Sequence, residues 1–183
     1  MSEVERLLQR YTSLVQMPWP ANLSGAEKVW FIVYSPAQER RLRLHLADFR
    51  TATRNAGHNW IEEDLTSSFA GWMAQHRYRE PYFQSPELVE GVLSGYTQAL
   101  TKQLAETLGA ADADQNTVVA LHGLGSLFGL ASVSEIVNAV RKAIRGRLLV
   151  FFPGYKEGSN YRFLDARDGW NYLSIAITAT DGN

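Results

Sequence analysis

Apolar and polar positions along this chain switch between two periods, and the switches mark out its elements. Leu7, Leu8, Tyr11, Leu14 and Val15 recur at helical spacing, which predicts an amphipathic N-terminal helix over 1–16, ended by Pro18 and Pro20. Val29 to Tyr34 (VWFIVY) is a continuous run of β-formers, the pattern of a central strand covered on both faces. Ser35-Pro36 opens a helix that runs to about Asn55 and stops at Gly57, a residue suited to the position after a helix end. Asn59 to Leu65 (NWIEEDL) reads as a second, less buried strand, followed by a short helix near Ser67 to Gln75. The segment HRYREPYFQSP breaks the pattern. A helix starting at Ser85-Pro86 carries Leu88, Val92, Tyr96, Leu100, Leu104 and Leu108 along one ridge. Thr117 to Leu121 is a third strand, and Ser132 to Glu135 is a capping box opening a helix to about Ile144. Arg147 to Phe152 and Tyr172 to Ile177 are the fourth and fifth strands, and 179–183 is a frayed tail.

Strand alternating with helix four times implies right-handed βαβ crossovers and a mostly parallel sheet. The prediction is a single three-layer α/β domain over 1–183, with about five mostly parallel strands flanked by helices. The order is P-loop- or Rossmann-like, yet a Walker A motif is missing. The turn after the first strand, SPAQERR, has no glycine and no lysine, and Pro36 removes an N–H donor. TVVALHG lacks the acid that would hold magnesium at the end of the third strand.

Composition narrows the chemistry further. The 183 residues are 45% apolar with a net charge of −1, so direct nucleic acid binding is not predicted, and no membrane attraction either. There is no cysteine, which removes disulfides, thiolate nucleophiles and cysteine-based zinc sites and fits a cytoplasmic location. MSEVERLLQR lacks the apolar region of a signal peptide, and no apolar run approaches the roughly 18–20 residues that span a bilayer. His45, His58, His76 and His122 have no metal-ligand spacing, so neither a metal nor another cofactor is expected. His122, at the end of a buried strand, reads as a structural residue.

Glu62, Glu63 and Asp64 read as a solvated strand end, with Glu63 on the opposite face from the other two. HGLGSLFG reads as a tight turn placing Leu124, Leu127 and Phe128 in the core. Arg40, Arg43, Arg50 and Arg54 fall within one arc of a helix. They form a solvated face or, alternatively, a basic face that meets an acidic partner or phosphates.

The stretch Phe151 to Tyr172 has turn signals at Pro153-Gly154 and Asp168-Gly169, and Tyr161 to Leu164 is a short strand between them. It holds no nucleophile–base pair and no ligand triad, so no catalytic residue is assigned. Arg162, Asp165, Arg167, Asp168, Trp170 and Asn171 are candidates for a protein interface, where Arg, Tyr and Trp are enriched. In the alternative reading Asp165 pairs with Arg167 or Arg162, and Trp170 fills the core. Tyr78, Tyr82 and Phe83 are a second candidate interface, for self-association as a homodimer.

Several segments are similar to the BrxB family, small accessory components of BREX bacteriophage-exclusion systems: RLLQRY, LSGAEKVWFIVYSPAQERRL, NTVVALHGLGSLFG, GRLLVFFPG and NYRFLDARDGWNYL. The similarity runs from about Arg6 to Thr178. It implies a non-catalytic adaptor or scaffold in an anti-phage complex that includes a methyltransferase, an AAA+ ATPase and an alkaline-phosphatase-like protein, the last as the most direct partner. No family catalytic residue carries over. A degenerate nucleotide-handling or nuclease-type enzyme, or a nucleic-acid-binding subunit, remain the alternatives.

Overall fold

β1 (Val29–Tyr34) is buried along all six residues, and its side chains divide by alternation. Val29, Phe31 and Val33 join one apolar cluster; Trp30, Ile32 and Tyr34 join another on the opposite face. Both faces are therefore covered. The computed structural model describes residues 1–76, 79–164, 170–172 and 174–180, without the side chains of 79, 82, 83, 86, 170 and 171.

One face carries α1 (Glu3–Val15) and α2 (Glu39–Asn55). The other carries α5 (Leu93–Gly109) and α6 (Val133–Val140), with α3 (Ser68–Gln75) beside α5. Between them lie β2 (Asn59–Asp64), β3 (Thr117–His122), β4 (Arg147–Glu157), β1 and β7 (Ile175–Ile177), side by side in the order β2-β3-β4-β1-β7. Every pairing along that path is parallel. The result is a three-layer α/β architecture.

α1 is held by sequence at two levels. Ser2 and Glu5 form a complete capping box: the Glu5 amide donates to Ser2 Oγ (3.3 Å) and the Ser2 amide to Glu5 Oε2 (2.6 Å). Its inner face buries Val4, Leu7, Tyr11 and Val15, each worth about 1.5–3 kcal/mol.

Five expectations need correction. The strand expected over Tyr172–Ile177 is only Ile175–Ile177, because the backbone turns at Tyr172 and Ser174 (Ser174 N to Tyr172 O, 3.0 Å). Pro153-Gly154 is no turn: β4 runs through it to Glu157. Tyr34 pairs with Pro153 at the end of the parallel ladder, and Gly154 begins an antiparallel one with β5 (Asn160–Phe163). The Arg162 carbonyl lies so close to Gly154 that a Cβ there would sit 2.1 Å from it. β5 then pairs antiparallel with β6 (Trp170–Asn171). The broken segment contains a short helix, α4 (Arg79–Gln84). The helix expected from Ser85-Pro86 begins as 3-10 turns over Pro86–Val92 and becomes α-helical only at Leu93, leaving Leu88 exposed and off the ridge. Phe128 is exposed, while Leu124 and Leu127 are buried as expected.

Candidate functional site

Two places bring chemistry-bearing side chains together, at opposite ends of the parallel strands. Ligands of open α/β sheets usually bind at the carboxyl ends. Here that crevice is closed by the chain's own groups. Where a phosphate would meet the turn after β1, the Glu3 carboxylate already accepts the Ser35 N–H at 2.7 Å. Tyr34 donates its hydroxyl to Glu39, whose other oxygen accepts from Arg43 Nε at 2.8 Å. Arg43 Nη2 reaches Thr66 Oγ1 at 2.7 Å, and the Thr66 hydroxyl and amide both donate to Asp64 Oδ1. A recess of about 230 Å³ remains beside Arg43, Thr66 and Gly123.

The same network continues across β2 and β3. His122 is buried between two acids: its Nε2 is 3.2 Å from Glu62 Oε1, and its Nδ1 is 3.5 Å from Asp64 Oδ1. Glu62 Oε2 also accepts from Trp60 Nε1 (2.9 Å) and Arg50 Nη2 (3.1 Å). Burial acts to raise the Glu62 carboxyl, but the Trp60 hydrogen bond with His122 and Arg50 nearby outweighs it and holds the group below its ordinary value. Burial likewise works to raise Asp64, and the two Thr66 hydrogen bonds with His122 and Arg43 bring it below its ordinary value. Glu63, on the other face as alternation requires, accepts from Thr107 Oγ1 at 2.6 Å.

Gly123 has φ of +77°, and a Cβ there would lie 2.6 Å from Thr66 Oγ1 and 2.8 Å from Asp64 Oδ1. Glycine is required because the network passes directly over it. Ser126 turns inward, its hydroxyl 2.8 Å from both the Leu65 and the Gly123 carbonyls. The expected arginine row is divided by these contacts. Arg43 and Arg50 are tied to Glu39, Thr66 and Glu62, while Arg40 and Arg54 stay exposed without an ion pair among the described residues.

The second place was not anticipated. At the amino-terminal ends of β1 and β4, beside the β7 edge, lies an apolar hollow of about 780 Å³. Its walls come from the segment linking α1 to β1 (Met17, Trp19), from Trp30, and from Tyr172 and Ile175. Met17 and Ile175 stand at its rim, 61% and 40% exposed. Arg147 lines it, only 3% exposed. The guanidinium lies 4.6 Å from the Trp19 ring centroid and 5.5 Å from that of Trp30, and Trp19 stacks in turn on His58 at 3.7 Å. Burial pushes the Arg147 pKa down. No carboxylate among the described residues pairs with it; its one hydrogen bond runs from Nη1 to the Gly146 carbonyl at 3.0 Å.

Tyr78, Asp165, Arg167 and Asp168 lie outside the described residues, as do the side chains of Tyr82, Phe83, Trp170 and Asn171. Arg162 pairs with Glu157 (3.3 Å) across the β4–β5 hairpin; the Asp165 pairing considered from sequence lies outside the described residues. Among the described residues no group of three or more His, Asp or Glu could hold a metal ion, and no helix is long and apolar enough to cross a membrane. No protein-family model matches the chain, and no curated protein or solved structure matches it significantly.

The hollow had one readable signal, MPWPAN. A tryptophan between two prolines cannot be covered by its own helix and must pack elsewhere.

Proposed function

We propose that this chain is a non-catalytic adaptor, a BrxB-like component of a BREX anti-phage complex in the bacterial cytoplasm, with the alkaline-phosphatase-like protein as its direct partner. The observation that carries the adaptor reading is the open apolar hollow with Met17 and Ile175 exposed at its rim, beside β7 at the end of the strand order. Exposed apolar groups around a concavity are what a partner's side chains fill. The Glu62–His122–Asp64 network supports the same reading from the other end of the sheet. Each of its acids is engaged by donors from its own chain, which suits a structural role better than turnover. The identification with BREX rests on the sequence resemblance.

The test is affinity capture of the tagged protein from cells carrying the whole defence system, with nuclease present. The adaptor reading expects the phosphatase-like protein in the eluate, lost with Met17→Asp plus Ile175→Asp and retained with Arg40→Ala plus Arg54→Ala. Capture that vanishes with nuclease, or with the arginine pair alone, would replace it with the nucleic-acid-binding alternative.

A further inference from the structure

We propose that the hollow around Arg147 is a carboxylate-recognition pocket, taking a monoanionic carboxylate on an aromatic or branched apolar body. The proposal rests on reading the hollow as the binding face, and adds the chemistry of what enters it.

Arg147 is the starting point. A guanidinium taken out of water without an anion is among the most unfavourable arrangements a fold can hold. The two tryptophan rings compensate part of this through their π faces and fix the plane of the group. They leave its hydrogen-bonding edge unsatisfied: Nη1 reaches Gly146, but Nε has no acceptor. Three further donors in the walls of the same hollow share this condition. Trp19 Nε1, Trp30 Nε1 and the Tyr172 hydroxyl are buried without a hydrogen-bond partner. Buried polar groups are nearly always paired, so an unpaired guanidinium, with three more unpartnered donors among the residues lining the same hollow, points to a missing partner. Three of these four groups can only donate, and a carboxylate, with two oxygens and about four lone-pair sites, is the acceptor that matches.

Shape and charge narrow the class. At about 780 Å³ the hollow falls in the range of ligand pockets and is walled mainly by Leu14, Met17, Trp19, Trp30 and Ile175. A bare inorganic anion would leave those walls uncovered. The other two charged residues in the lining offset each other. Glu27 accepts the Ser24 amide at 2.9 Å, and Lys156 donates to the Gly158 carbonyl at 2.6 Å. Among the described residues Arg147 is thus one uncompensated positive charge, which a monoanion neutralises.

The probes are 3-phenylpropionate and its neutral isostere 3-phenylpropanamide, titrated into the full chain with tryptophan fluorescence and calorimetry as readouts. The acid should bind saturably and at least about tenfold more tightly than the amide, a difference of about 1.4 kcal/mol. Arg147→Met should abolish that preference while leaving the apolar contribution. Arg147→Lys keeps the charge without the planar fork and should retain part of it. The wild-type comparison alone decides if a variant fails to fold. Equal affinity for acid and amide, or no binding of either to the folded protein, overturns the proposal.

Competition then identifies the source of the carboxylate. If the acid displaces the captured partner protein, the group belongs to that partner; if capture persists with acid bound, it belongs to a free small molecule. Both results support a carboxylate pocket. Acid recognition with no partner capture would overturn the adaptor reading alone, and capture with no discrimination between acid and amide would overturn the pocket alone.

Discussion

Replacing Glu62 with glutamine separates a structural crevice from a functional one. The carboxylate accepts from three donors, Trp60 Nε1, Arg50 Nη2 and His122 Nε2, at 2.9–3.2 Å. A hydrogen bond to a charged group contributes about 1.5–3 kcal/mol, and less here because the Trp60 and Arg50 contacts of Glu62 are exposed to solvent. The Arg50 contact is worth less, about 0.2–1 kcal/mol, because both side chains are partly exposed, 39% and 29%. Glutamine keeps one acceptor oxygen but turns an amide donor toward at least one of the other donors. The expected net loss is therefore about 1–2.5 kcal/mol, read as a lower urea midpoint at unchanged slope. The pH dependence has a fixed sign. Glu62 and Asp64 both titrate below their ordinary values in the folded protein. They contribute stability above the ordinary carboxylate range that is lost as pH falls through their lowered values. Wild-type stability should drop on acidification through that window, and Glu62→Gln should drop less. A variant with wild-type stability at neutral pH and an unchanged acid slope would refute the network as a structural device. If that same variant also lost capture of the proposed partner, the crevice would be the functional site.

Thr53 is wholly buried; its hydroxyl donates to the Phe49 carbonyl (2.9 Å), so the Tyr11 hydroxyl, 2.5 Å away, must donate to Thr53 Oγ1. Thr53→Val should cost about 1–3 kcal/mol in a urea melt by stranding the Tyr11 O–H, and adding Tyr11→Phe should restore most of it; additive costs would contradict this pairing. Gly123→Ala and Gly129→Ala share nearly the same φ, +77° and +75°, but only Gly123 has atoms in the way of a Cβ. Gly129→Ala should cost about 1 kcal/mol of backbone strain and Gly123→Ala clearly more, about 2–4 kcal/mol by thermal melting, and equal costs would refute the close approach of Thr66 and Asp64. Arg147→Met should leave stability unchanged or raise it by about 1–4 kcal/mol, since it replaces a desolvated charge with an apolar side chain of similar length; a loss above about 3 kcal/mol would make Arg147 a structural keystone.

How much of this is legible in the chain depends on how far apart the cooperating residues are. β1 and β3 read directly because six successive positions are buried in each, which no helix face or exposed strand requires. The split of Glu63 from Glu62 and Asp64 follows from strand alternation alone. Pro153-Gly154 misleads because these residues are turn formers in general. Here proline occupies the last parallel position opposite Tyr34, and glycine lets the Arg162 carbonyl approach. The arginine spacing on α2 is correct, but the acid that claims Arg50 lies on a different element. The hollow is the least legible of all. Trp19, Trp30, Arg147 and Tyr172 meet only because Val29 pairs with Leu148 and Trp30 with Ile175, a register no local pattern specifies. Arg147 reads in sequence as the first residue of a strand, and nothing nearby marks it as buried without an anion.

The most direct test of the adaptor account is the affinity of the purified protein for the alkaline-phosphatase-like partner proposed for it, measured by sedimentation or interferometry beside a rim variant. Met17 and Ile175 are exposed, so Met17→Asp plus Ile175→Asp should melt within about 1 kcal/mol of wild type. The account predicts a saturable wild-type complex that this variant weakens at least about a hundredfold, or about 2.7 kcal/mol, the scale of a lost interface hot spot. A wild-type protein that forms no complex, or a folded variant that binds as well as wild type, would contradict it.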